Sequence, residues 1–410
     1  MIPKHWKKVP LHEIAEVRTG VAKGKTGLKD PVELPYLRVA NVQDGRIDLS
    51  EVKTIQVERT QVDRYALQKG DILMTEGGDF DKLGRGDVWQ GQIQPCLHQN
   101  HVFAVRPDAE QVEPTFLSAL ASSQYGRSYF LGCAKRSTNL ASINSSQLRE
   151  FPVLLPSLEE QRGIARILAT WDQAIATTEQ LLRNSRQQKL GLVRHLLLEP
   201  ARNGAWQRRS INEIATRVQR RASKGEGLPV LMISSGSGFV HQDSKYSRFM
   251  AGKSVENYIA LLRDEFAYNK GNSKQYEFGC VFPLDIVEQG LVPNVYVCFS
   301  LNSEANAAFY QHLFAADFLH DQLGALVNTG VRNNGLLNIR PESFLSCEVP
   351  VPSLDDQKRI AHIIQTATFW IESHETALER LREEKSALMA QLLTGKRRVR
   401  LPQAEEAAAA

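Results

Sequence analysis

The chain has 410 residues, 42% apolar and 23% charged, and its 50 basic against 46 acidic side chains leave a net charge of +4. Such a length exceeds what one hydrophobic core normally serves, so two or more domains are expected, and the ordinary apolar fraction excludes a disordered chain. The near-neutral balance excludes a uniformly basic surface; any nucleic-acid-binding surface must be local.

The opening Met1-Ile2-Pro3-Lys4-His5-Trp6 has no apolar core of signal-peptide type. No later stretch approaches the roughly 18 uninterrupted apolar residues of a membrane span, and a soluble cytoplasmic protein without membrane contact is expected. Strands are then expected at Tyr36-Leu37-Arg38-Val39-Ala40, Asp71-Ile72-Leu73-Met74 and His101-Val102-Phe103-Ala104-Val105, with Gly and Asp clusters between them. At Pro156-Ser157, with Glu160 three positions after the serine, a capping-box pattern opens a helix expected to run to Pro200. Further strands follow at Val230-Leu231-Met232-Ile233, Cys280-Val281-Phe282 and Val295-Tyr296-Val297-Cys298-Phe299. A second helix opens at Pro352-Ser353, with Asp356 in the box position, and is expected to reach Gly395. Each rod of about 40 residues is on the order of 60 Å long. The Ala-rich and Glu-rich end, Ala404 to Ala410, is a low-complexity tail outside the fold argument.

The order globule, helix, globule, helix is a duplication. Trp6, Leu11, Glu13, Ile14 and Ala15 recur as Trp206, Ile211, Glu213, Ile214 and Ala215, 200 positions on. Pro156-Ser157-Leu158-Glu159-Glu160-Gln161-Arg162 with Ile164-Ala165 recurs 196 positions on as Pro352-Ser353-Leu354-Asp355-Asp356-Gln357-Lys358 with Ile360-Ala361. A period this long repeats a whole domain and its connector rather than a solenoid motif. The segmentation is 1–156, 157–200, 201–352, 353–395 and a tail 396–410. Both globules read as mixed α/β, an α+β fold class overall.

Along the first rod a four-three spacing passes through Ile164, Leu168, Trp171, Ile175, Leu182 and Leu192; along the second it passes through Ile360, Ile364, Ile371, Leu378, Leu381 and Leu388. The shared register predicts a helix–helix seam, a coiled coil interrupted by Thr178, Lys189, His374 and Lys385.

No catalytic motif completes. Cys96, Cys133, Cys280, Cys298 and Cys347 are scattered, without metal-ligand spacing, and read as buried free thiols. Gly20-Val21-Ala22-Lys23-Gly24-Lys25-Thr26 is one residue short between its glycines for a phosphate loop, and Ser235-Gly236-Ser237-Gly238 reads as a strand-to-strand turn. Glu51-Val52-Lys53 reads as surface charge, and neither an adenine-methyltransferase Asn-Pro-Pro step nor a helicase signature is present. The chain is read as non-catalytic, with no metal site.

Basic and amide side chains instead gather in turn-like stretches of both globules. The candidate DNA contacts are Lys25, Arg85, Arg136 and Asn139 in the first globule and Asn269, Lys270, Lys274, Arg332 and Asn333 in the second. Arginine and lysine can grip phosphates or guanine edges, and asparagine can pair with adenine through two hydrogen bonds.

With these features the chain resembles the specificity subunits of type I restriction-modification systems. The resemblance rests on the Trp6–Ile14 and Trp206–Ile214 openings and on the duplicated Pro-Ser-Leu-acid-acid-Gln-basic step. Gly70-Asp71-Ile72-Leu73, Tyr268-Asn269-Lys270-Gly271 and Gly290-Leu291-Val292-Pro293-Asn294-Val295-Tyr296 add to it. It implies two target-recognition domains, each reading half of an asymmetric bipartite site in double-stranded DNA. It also implies spacing of the two domains by two helices in an antiparallel coiled coil with pseudo-twofold symmetry. As partners it implies two modification subunits that bind S-adenosylmethionine and methylate adenine, and a restriction subunit that uses ATP and Mg for translocation and cleavage in phage defence. No cofactor is expected in this chain.

Overall fold

The computed structural model describes residues 3–24, 26–78, 80, 83–136, 141–221, 227–242, 257–271, 273–327 and 337–399, with Arg136 described by its backbone alone. The chain divides into two compact units, Met1–Glu179 with Thr376–Ala410, and Gln180–Glu375. Among the described residues no helix is long and apolar enough to cross a membrane.

Unit 1 is built on a four-stranded antiparallel sheet of β1 (Ala15–Thr19), β2 (Ile72–Thr75), β3 (Gly86–Val88) and β4 (Val102–Pro107), in the order β1-β4-β2-β3. All four residues of β2 are buried, as expected of a central strand whose two faces are both covered. Helix α1 (Pro114–Ser122) supplies Phe116, Leu117 and Leu120 to a core shared with Leu11, Ile14, Phe103, Phe130 and Phe151. Strand Lys7–Pro10 pairs antiparallel with Pro152–Leu155, which delivers the chain to the long helix α2 (Leu158–Leu192).

Unit 2 repeats this plan. Strands β5 (Ala215–Arg217), β6 (Phe266–Asn269), β7 (Cys280–Pro283) and β8 (Val297–Leu301) form an antiparallel sheet ordered β5-β8-β6-β7. Helix α3 (Ala307–Ala315) covers it, and Arg208–Ser210 pairs with Glu348–Pro350 ahead of α4 (Leu354–Leu392). Phe266 stacks on Phe299 at 5.4 Å, and Tyr268 on Phe344 at 4.3 Å. The duplication therefore continues through the middles, where the sequences have diverged.

Three local expectations are corrected. The strand expected at 36–40 stops at Leu37, because the Asn41 side chain accepts the Arg38 N–H at 2.9 Å and donates to the Asp48 and Glu51 carbonyls, drawing Val39–Asn41 into a 3₁₀ turn. The first rod does not end at Pro200: a π-helical turn, Val193–Leu198, is followed by Glu199–Arg202, where proline occupies a first-turn position that needs no N–H. The capping boxes are half made. Ser157 and Ser353 accept the N–H groups of Glu160 and Asp356 at 3.3 and 3.2 Å. Asp356 then accepts the Ser353 hydroxyl at 2.8 Å, while the Glu160 carboxylate turns to other partners. The Ser235–Ser237 stretch is a hairpin turn between Leu231–Ser234 and Gly238–His241, as the sequence suggests.

The glutamine in the repeated step is the joint between globule and helix. Gln161 is fully buried; its Oε1 accepts the Glu113 N–H at 2.9 Å and its Nε2 donates to the Gln111 and Pro156 carbonyls, both at 3.0 Å. Gln357 does the same with the Asn306 N–H at 2.7 Å and the Glu304 and Pro352 carbonyls at 3.0 and 2.9 Å. Glu113 and Asn306 are the N-caps of α1 and α3.

Within unit 1 the first half of α2 runs antiparallel to residues 376–392 of α4, with Asp172 paired to Lys385 and Glu179 to Arg382 at 2.7 Å. Within unit 2, Arg186 pairs with Glu375 at 2.6 Å.

Candidate nucleic-acid interface

The sheet end carrying the C-termini of β2 and β6 is where the basic stretches gather. In unit 1, β2 stops at Thr75 and β3 starts at Gly86, leaving the connection 76–85; in unit 2, β6 stops at Asn269 and β7 starts at Cys280, leaving 270–279. The second connection closes with Gly279 at φ +88°, where a Cβ would lie 2.4 Å from the Asn269 carbonyl oxygen, so only glycine fits. Each connection is fastened to a later segment by the same main-chain bond: the Ile143 N–H donates to the Glu76 carbonyl at 2.9 Å, and the Leu337 N–H donates to the Lys270 carbonyl at 3.0 Å. In unit 1 the fastening widens into a small sheet. Gly77–Gly78 pairs with Ala141–Ser142, which pairs in turn with Lys135–Arg136.

The structure thus gathers stretches that are far apart in sequence. Arg85 and the strand containing Arg136 belong to one cluster, in which Lys135 is exposed. Asn269, Lys270 and exposed Lys274 belong to the equivalent cluster of unit 2. Arg85 is half-buried; its carbonyl accepts the Thr75 N–H at 3.0 Å, and among the described residues its buried Nε has no hydrogen-bond partner. Asn269 accepts the Gly271 N–H on its side-chain oxygen at 3.0 Å, an Asx turn that shapes the connection. Lys25, Asn139, Arg332 and Asn333 lie outside the described residues, as does the Arg136 side chain.

Sequence reasoning passed over the groups that brace the opposite, N-terminal end of each central strand. Asp71, 1% exposed, accepts two hydrogen bonds from Arg106, at 2.7 and 2.8 Å, and also accepts the Gln68 N–H at 2.8 Å. In unit 2, Glu265 accepts two from Arg220 at 2.9 and 3.2 Å. Each is a buried carboxylate just before the central strand, held by a bidentate guanidinium. The signal was an acidic residue directly ahead of an apolar run, in Gly70-Asp71-Ile72 and Asp264-Glu265-Phe266. At the other end of β2, where the 76–85 connection leaves, His101 places an imidazole 2.6 Å from the Glu76 carboxylate.

Of the seam residues, Ile164 and Leu168 are buried with the unit 1 core, and Ile360 and Ile364 with that of unit 2. Leu182 and Leu378 are also buried, while Trp171, Ile175, Leu192, Ile371, Leu381 and Leu388 are half-buried. Of the polar seam positions, Lys385 pairs with Asp172, and burial pushes the Lys189 ammonium down while Glu372 opposes the shift.

Among the described residues no group of three His, Cys, Asp or Glu could hold a metal ion. The five cysteines are free. Burial pushes the Cys96, Cys280 and Cys298 thiols up to about 12 and that of Cys347 up to about 11, so these four stay protonated.

Comparison with known proteins agrees with this architecture. Residues 3–184 match the family described as the type I restriction modification DNA specificity domain. A Methanocaldococcus jannaschii protein assigned as the MjaX type I restriction enzyme specificity subunit is 23% identical over 423 residues, covering 97% of this chain and 95% of that protein. The EcoKI specificity subunit of Escherichia coli is 26% identical over 169 residues, 40% of this chain and 36% of that protein. The crystal structure of the HsdS subunit from Thermoanaerobacter tengcongensis matches the fold with a TM-score of 0.53 at 14% identity, covering 97% of this chain and 98% of that one. The S subunit from M. genitalium matches with a TM-score of 0.54, also at 14% identity, over 94% and 96%. By its matched segment and by a likeness that runs nearly from end to end, the chain is similar to the specificity subunits of type I restriction-modification systems, and residues 3–184 match their DNA specificity domain.

Proposed function

We propose that each unit reads one half of a bipartite DNA site through the sheet end where 76–85 meets 135–142 in unit 1 and where 270–279 meets 337 in unit 2. The observation that carries this reading is the pairing itself: equivalent connections, fastened by equivalent main-chain bonds, present unlike side chains. Similar frames with dissimilar ends suit two modules that must dock alike and read differently. Exposed Lys135 and Lys274 would grip phosphate, and half-buried Arg85 and Asn269 would meet base edges or position the residues that do. The long helices would set the distance between the half-sites.

The chain itself would catalyse nothing. Two modification subunits would bring S-adenosylmethionine and methylate adenine, and a restriction subunit with ATP and Mg would translocate and cleave, all in the cytoplasm. Methylated adenines are to be mapped in cells with and without this gene. A bipartite motif that vanishes with the gene is expected, and an unchanged methylation pattern would refute the reading.

A further inference from the structure

The two units solve one problem in different ways. In unit 2, buried Leu197 and the half-buried Trp206 stand at the two ends of one short covalent stretch that closes the helix end onto the globule. The equivalents in unit 1, buried Leu393 and Trp6, are separated by nearly the whole sequence, so no peptide chain joins them. A set of non-covalent contacts stands in that place. Gly395, at φ +71°, sits where a Cβ would come within 2.5 Å of Pro3 Cγ. Arg398 donates from Nε and a terminal nitrogen to the Glu160 carboxylate at 3.0 and 3.1 Å, and the Trp6 indole N–H donates to it at 3.3 Å. His5 Nε2 lies 3.6 Å from the same carboxylate, and Val399 packs against the core.

Glu160 is 1% exposed. A carboxylate so far from water is costly unless a cation neutralises it, and removing one partner of such a pair costs much more than removing an exposed ion pair. Arg398 is that cation, reaching from beyond the end of α4. The matching residue in unit 2, Asp356, has a side chain 44% exposed and takes its cation, Arg359, from its own helix at 2.9 Å. Unit 2 needs no such reach.

We infer that residues 393–399 form a strap that closes unit 1 by seating Arg398 on Glu160 and Gly395 on Pro3, so that unit 1 alone depends on the residues after α4. In terms of the proposed half-site reading, on which this consequence rests, releasing the strap disables one half-site and spares the other.

The test uses the full chain, the chain stopped after Val399, the chain stopped after Lys396, and the point variants Arg398→Ala, Glu160→Gln and Glu160→Gln/Arg398→Ala. Amide hydrogen exchange is followed at 3–16 and 150–165 and, as the internal control, at 206–216 and 348–361. Exchange at 3–16 is expected to rise about tenfold or more in Arg398→Ala and in the chain stopped after Lys396, with 206–216 unchanged. The chain stopped after Val399 should match the full chain, and the double variant should recover toward it relative to Arg398→Ala. Wild-type exchange in Arg398→Ala, or an equal rise in both units, overturns the inference. If the shortened chain does not fold, the point variants decide the matter alone. DNA binding to each half-site is a separate readout: faster exchange at 3–16 with both half-sites still recognised would refute half-site reading by unit 1 and leave the strap standing.

Discussion

Gln161 holds Glu113: its buried side-chain oxygen accepts, at 2.9 Å, the main-chain N–H of the residue that caps α1. The same side chain donates to Pro156 at the start of the long helix, so one amide ties the helix entry to the sheet-covering helix of the globule. Gln357, Asn306 and Pro352 repeat the tie in unit 2.

Replacing either glutamine with leucine should therefore destabilise its own unit by about 2–4 kcal/mol, because a buried N–H and two carbonyls lose their partner while the site cannot admit water. Glutamate should serve poorly, since it cannot donate to the two carbonyls. Calorimetric unfolding of each single variant and of the double variant checks this. Additive losses from Gln161→Leu and Gln357→Leu are expected, as the two sit in separate cores.

Stability should also fall in mild acid. Burial lowers His98 in unit 1 to about 4 and His312 in unit 2 to about 4, and neighbouring Lys189 adds to the effect on His312. The unfolded imidazole titrates near 6.5. Both groups have depressed folded values, so their contribution is fully present above pH 6.5 and is lost as pH falls toward 4. By pH 5 each should cost about 2 kcal/mol. Unfolding curves from pH 7 to 5 on His98→Gln and His312→Gln should be flatter than for the parent chain; an identical slope would sink the assignment.

At the sheet ends, Lys274→Ala should weaken binding to all sequences alike and lower the salt slope of log affinity by about one, as expected for one lost phosphate contact. Arg85→Ala should behave differently, losing about 1–3 kcal/mol on the cognate half-site and relaxing discrimination there. Titrations across a KCl series, with each half-site scrambled in turn, separate the two effects.

Inserting one heptad between Leu182 and Lys189 together with one between Leu378 and Lys385 should lengthen the spacer between half-sites. Seven residues add about 10 Å of helix, or about three base pairs. Sequencing methylated adenines in cells carrying the lengthened chain reads the spacer directly; a recognition motif with its original spacing would count against the helices as a ruler.

Much of this architecture could be read from the residues, and the rest could not for definite reasons. The openings at Trp6 and Trp206 and the Pro156 and Pro352 steps are local patterns, and strands such as Ile72–Thr75 and Cys280–Pro283 declare themselves by apolar runs. The equivalence of β2 with β6 and of β3 with β7 did not show, because antiparallel pairing constrains backbone bonds and burial rather than residue identity. Asp71 and Arg106 stand 35 positions apart, and nothing in a one-dimensional pattern pairs them. Glu160 looked like half of a capping box, yet its charge is claimed by Arg398, 238 positions away. Of the nine residues named for DNA contact, four fall outside the described residues. Lys274 is exposed and Arg85 half-buried, a difference that solvent geometry decides and that sequence alone leaves open.

The bonds from Ile143 to Glu76 and from Leu337 to Lys270 join main chain to main chain. A fastening that uses no side chain leaves the exposed positions of each cluster, such as Lys135 and Lys274, unconstrained by it, while buried Ile143 and Leu337 and the glycine at 279 stay fixed by the core and the turn. Substitutions at those exposed positions can accumulate with little thermodynamic penalty, so a new preference can arise at this end without a compensating change in the core. Such a protein can diversify what it reads at nearly constant stability, and one unit can drift without waiting for the other.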